Sequence, residues 1–121
     1  MYQTKIIGQD LYRVRSEGYG TSVKLFGQTK DGETPMSLLN IALAGCITMC
    51  VQGYFYRYHK EKQVPVTVDS RYEADFFQVR VNLPVALEAS EQDKLSAYID
   101  KHCRVKKLLR EDLTIVIDFK V

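Results

Sequence analysis

Three cysteines, Cys46, Cys50 and Cys103, are the residues in this sequence best suited to covalent chemistry. A thiolate attacks peroxides, disulfides and soft electrophiles, whereas a thiol in apolar surroundings is inert. The question at each position is therefore what would ionise it. Cys46 follows Ala44 and Gly45 in a long apolar stretch, where small neighbours let a substrate or another backbone come close to the sulfur. The plain alternative is that it packs as a small hydrophobe, as free cysteines often do. A position in mid-helix forfeits the macrodipole, which fades beyond the first turn, so a reactive Cys46 needs a cation from elsewhere. Arg13 and Arg15, on one face of an expected strand, are the candidates, and a solvated strand face is their ordinary reading.

Cys103 lies among Lys101, His102, Arg104, Lys106 and Lys107, and nearby positive charge favours a thiolate. The same basic residues could simply complement the C-terminal end of a helix while Cys103 packs inward at the Leu95, Ile99, Cys103 spacing. Cys50 stands one turn after Cys46 and is expected in the core, since a disulfide along one continuous helix is geometrically awkward. There is no CxxC pair, and His59 and His102 do not complete a zinc spacing with these cysteines, so no metal site is expected.

The elements that must position these residues can be read from the pattern. The segment from Tyr2 to Phe26 alternates, with turn residues at 8–10 and 18–20, and predicts two or three short antiparallel strands. Thr34-Pro35 then supplies a helix cap and a first-turn proline. The helix that follows, roughly 35–60, is apolar or small nearly all round from Met36 to Val51, broken only by Ser37, Asn40 and Thr48, and is expected to be buried on most faces. Its apolar run of roughly 16 residues falls short of the roughly 20 that a bilayer crossing needs. Segments 64–72 and 76–83 predict a hairpin turning at 73–75, Ser90 is expected to cap a second helix with a basic end through Arg110, and 113–121 predicts a closing strand. The expected class is α+β, as one domain spanning 1–121.

Composition narrows the partners. The 121 residues suit a single domain, and 17 basic against 15 acidic residues leave a net charge of +2, too balanced to imply a nucleic-acid or anionic-membrane partner. The basic run HCRVKKLLR lacks the interleaved aromatics of a strand-binding patch. The N-terminal residues lack a secretory apolar core, and three cysteines without such a signal fit a reducing compartment, so the expected location is cytoplasmic.

Two segments together, TPMSLLNIALAGCITMC at 34–50 and KHCRVKKLL at 101–109, resemble the OsmC-like family, which includes the organic hydroperoxide resistance proteins. The order of elements agrees along nearly the whole chain. The resemblance implies an intertwined homodimer in which two long helices lie between sheets. It implies Cys46 as the peroxide-attacking thiol, Cys103 as its resolving partner and Arg15, with Arg13 as substitute, as the supporting cation. It implies a thiol peroxidase that acts on organic hydroperoxides or hydrogen peroxide, regenerated by an external dithiol and needing no bound cofactor. A break of the late helix before Cys103 would belong to the same pattern. Met36 stands where the hydroperoxide resistance proteins carry glutamate, and Ser37 where other relatives do. That departure keeps a second expectation open, a non-enzymatic thiol protein for binding or redox sensing with an apolar pocket at the dimer interface.

Overall fold

The computed structural model describes residues 1–121 and resolves into two compact units, Met1–Leu39 and Asn40–Val121. In the first, β1 (Lys5–Gly8), β2 (Arg13–Glu17) and β3 (Lys24–Phe26) form an antiparallel sheet in the order β1-β2-β3, the meander expected from the alternation. Gly20, at φ 69°, takes the left-handed backbone of the β2–β3 turn.

Helix α1 runs Pro35–His59. Its start is closed reciprocally: the Ser37 amide donates to Thr34 Oγ1 at 3.1 Å, and the Thr34 amide donates to Ser37 Oγ at 2.7 Å. Ser37 thus does the work of the glutamate in a capping box. Farther along, Leu43, Ile47, Val51 and Tyr54 enter the core while Ile41 and Met49 stay 49% and 72% exposed and Tyr56 stays exposed on the opposite side. The expectation of a helix buried on most faces is therefore corrected. So short a chain supplies enough apolar surface to cover one side of α1, and the other remains open. By length and composition the 25-residue helix could cross a membrane, yet its inner side belongs to the same core cluster as Phe77, Val79, Val81, Leu95 and Ile99.

The second sheet has the order β4-β5-β6, with β4 at Thr67–Glu73, β5 at Phe76–Asn82 and β6 at Thr114–Lys120. β4 and β5 make the expected hairpin, closed by Ala74 and Asp75, both at positive φ as a two-residue primed turn requires. β6 runs parallel to β5, which demands a crossover, and the late helices provide it. Phe77, Val79 and Val81 point alternately into the core, and their β6 neighbours Ile115, Ile117 and Phe119 pack against it.

The second helix differs from its sequence reading at both ends. Helix α2 is Ala89–His102 with Glu88 at the cap position and no side-chain cap bond, so Ser90 lies inside the helix rather than capping it. The single helix expected through Arg110 instead stops at Cys103, which adopts extended backbone (φ −76°, ψ 100°) before a short α3, Arg104–Leu108. Leu95, Ile99 and Cys103 are fully buried, as their spacing predicts.

One polar contact ties α1 to the sheet. The Asn40 amide donates to the Ser70 carbonyl at 2.9 Å, and the Ser70 hydroxyl donates back to Asn40 Oδ1 at 2.6 Å. Asn40→Ala is expected to cost about 1–2 kcal/mol, against about 2–5 kcal/mol for Leu43→Ala, whose side chain is wholly buried. Urea titrations of the two variants check the ranking.

Candidate active site

The site grows out of the break at Cys103. Helix α1 carries Cys46 and Cys50 on successive turns, with Cys46 partly exposed and Cys50 nearly buried. The α2–α3 junction brings Cys103 to them, so that the three Sγ atoms lie within 4.8 Å of one another. All three are free thiols.

The junction also settles how Cys46 is tuned. Cys103 closes α2 by donating its amide to the Ile99 carbonyl at 2.8 Å, and it serves as the cap residue of α3. The first amides of α3 therefore have no partner within their own helix. Burial by itself pushes the Cys46 thiol up, but hydrogen bonds from the Val105 amide, the Cys103 thiol, the Arg104 amide and the Cys50 thiol outweigh it and hold the Cys46 pKa below the ordinary cysteine value. Cys103 is shifted the other way. Burial raises it, and the neighbouring Cys46 adds to that, against the lowering influence of the Lys106 amide and charge. The basic run around Cys103 thus does not make it a thiolate, because its sulfur is fully buried while the lysines reach outward. Cys50 is pushed up to about 12, by burial first and by its two thiol neighbours next.

The arginines named from the sequence lie in the Met1–Leu39 unit. Arg15 donates to Glu17 at 3.1 Å, and Arg13 stands over the Phe26 ring at 5.6 Å. The groups that lower Cys46 are main-chain amides and thiols. Main-chain amides leave no mark on residue type, so no side-chain cation in the sequence signals them. The signal available in the sequence was the spacing of Cys46 and Cys50, one turn apart, which places their side chains on adjoining parts of one helix face.

A separate cleft of about 590 Å³ opens between the end of α1 and α2, lined by Tyr54, Arg57, Tyr58, Tyr98, Lys101 and His102 among others. His102 packs against Tyr98 with ring centroids 4.3 Å apart and planes tilted by 41°, and no cysteine lines the cleft.

The model of the OsmC-like protein family matches residues 27–118, and the chain belongs to that family. Among solved structures it is similar to a hypothetical protein of Aquifex aeolicus (TM-score 0.78, 14% identity, 100% of this chain and 96% of that one). It is similar also to an organic hydroperoxide resistance protein, OsmC, of Legionella pneumophila (TM-score 0.68, 16% identity, 100% and 98%). A third is the organic hydroperoxide resistance protein OhrB of Bacillus subtilis (TM-score 0.63, 14% identity, 99% and 98%). At these identities the likeness is one of fold. No curated protein matches the sequence.

The opposite shifts predict an order of reactivity. Near neutral pH, iodoacetamide is expected to modify Cys46 first, Cys103 slowly and Cys50 not at all in the folded protein, because only the thiolate reacts. The Cys46 rate should flatten at a lower pH than that of a free cysteine. Peptide mass spectrometry across a pH series checks both points.

Proposed function

We propose that this protein is a thiol-dependent peroxidase that reduces organic hydroperoxides or hydrogen peroxide with Cys46 as nucleophile and Cys103 as resolving thiol. The observation that carries this reading is the pairing of a thiol with a lowered pKa and a protonated, buried thiol, with sulfurs within 4.8 Å, in a chain of the OsmC-like family. Two structural relatives are named as organic hydroperoxide resistance proteins, which supports the choice of substrate class.

The chemistry follows from the two protonation states. The Cys46 thiolate attacks the terminal oxygen of the hydroperoxide; the S–O bond forms as the O–O bond breaks, leaving a sulfenic acid and an alkoxide. Cys103, held as a thiol, gives the alkoxide its proton and becomes a thiolate. That thiolate attacks the Cys46 sulfur and expels hydroxide, which takes a proton from solvent, so one disulfide, one alcohol and one water result. An external dithiol then returns both cysteines to thiols and leaves as its own disulfide. The family resemblance assigns the supporting guanidinium to Arg15, which donates to Glu17 at 3.1 Å, with Arg13 as the substitute.

The working unit in this proposal is a homodimer. Ile41, Met49 and Tyr56 leave an apolar strip exposed along the outer side of α1, which a second copy would cover. Met49→Glu is expected to shift the protein toward monomer in sedimentation or size-exclusion measurements, whereas an unchanged mass would place the contact elsewhere.

Consumption of cumene hydroperoxide with dithiothreitol or a lipoyl donor tests the catalytic reading. Cys46→Ser is expected to lose turnover, at least about a hundredfold, because no other thiol here has a lowered pKa. Cys103→Ser is expected to stop after one equivalent of peroxide, with the sulfenic acid trappable by dimedone. A wild-type protein inert with every dithiol would instead favour the thiol-based binding or sensing role, which the departures at Met36 and Ser37 keep open.

A further inference from the structure

The peroxidase scheme uses two thiols, and the structure holds three. Cys50 is a core residue whose Sγ nonetheless lies within 4.8 Å of both others. Two sulfurs come from successive turns of α1 and the third from the α2–α3 junction, so the trio makes a triangle rather than a row. No histidine or carboxylate joins it. We infer that Cys46, Cys50 and Cys103 form a three-sulfur site for trivalent arsenic, taken up as arsenite.

Distance, coordination number and charge each bear on that choice. A soft centre bonded to sulfur at about 2.3 Å places the sulfurs of a three-coordinate complex roughly 3.5–4 Å apart, so the observed triangle needs only a small inward movement. Zinc takes four ligands in its structural sites, and the cluster offers three. Zinc on three thiolates would also leave one negative charge, and copper(I) two, beside sulfurs that are buried or nearly so, which is costly. Arsenic(III) on three thiolates is neutral and needs no fourth ligand.

The reaction is a ligand exchange without change of oxidation state. One arsenous acid and three thiols give one arsenic tris-thiolate and three waters, with three As–S bonds replacing three As–O bonds and each thiol proton leaving in water. Cys46, the partly exposed member, is the point of entry, flanked by the small residues Ala44 and Gly45. Occupancy ties up both thiols of the peroxide scheme. The binding itself does not rest on that scheme, because it requires only the triangle.

Intact-protein mass spectrometry of the fully reduced chain with equimolar arsenite tests the inference. The expected adduct gains one arsenic and loses three hydrogens. Cys50→Ser should weaken arsenite binding by about a hundredfold or more, the advantage of a third tethered ligand. Phenylarsine oxide, which takes two thiols, should still bind Cys50→Ser, showing that the variant is folded and the Cys46–Cys103 pair reachable. A two-thiol adduct, which keeps one hydroxyl on arsenic and so gains one arsenic and one oxygen while losing one hydrogen, or arsenite affinity equal in wild type and Cys50→Ser, overturns the three-sulfur site. A protein that reduces peroxide but fails to bind arsenite sinks this inference alone, and one that binds arsenite but reduces no peroxide sinks only the peroxidase reading.

Discussion

The extended backbone at Cys103 is the constraint on which the site depends. Had α2 continued as one helix, its 101–108 stretch would have spent its amides on internal bonds. The interruption instead leaves the Arg104 and Val105 amides free to reach the Cys46 sulfur, and it turns the Cys103 side chain into the core beside it. Hydrogen bonds to a sulfur count most when they favour its charged form, and several together overcome the burial that opposes ionisation. One local departure from helical geometry thus separates the two thiols into a more acidic member and a protonated one.

The rest of the Asn40–Val121 unit holds that junction in place. β6 can run parallel to β5 only through a crossover, and α2 and α3 are that crossover. Leu95 and Ile99 anchor α2 in the same core as Leu43, Ile47 and Val51 of α1. Asn40 and Ser70 tie α1 to β4 through two polar bonds in an otherwise apolar contact. The cysteines therefore sit on elements fixed by packing, the arrangement that a reactive pair needs if its sulfurs are to stay within reach.

Much of this was legible in the residues, and the failures have physical reasons. Alternation gave the meander and the hairpin, because one face of each sheet must be apolar. The hairpin's turn was placed by its polar residues, but Ala74 at positive φ could not be foreseen, since alanine disfavours that backbone. All-round apolarity in α1 suggested burial on most faces, yet periodicity cannot say whether the second side is covered by the same chain. The basic run at 101–107 left two readings of Cys103, an ionised thiol or a residue packed inward at a basic helix end, and the lysine heads point outward. Lys106 pairs with Asp100, and the buried sulfur is left with the cost of burial. Cys50 looked like a core residue, and it is one; its closeness to Cys103 is a tertiary fact that no spacing within α1 could announce.

The most direct test of the central claim is the identity of the bond formed after a single oxidation. The reduced protein would be treated with one equivalent of cumene hydroperoxide without reductant, then blocked, digested and mapped by mass spectrometry. The account predicts a disulfide joining the peptides of Cys46 and Cys103, with Cys50 recovered as a blocked thiol. Oxidation confined to Cys50, or over-oxidation of Cys46 with Cys103 still a free thiol, would contradict it.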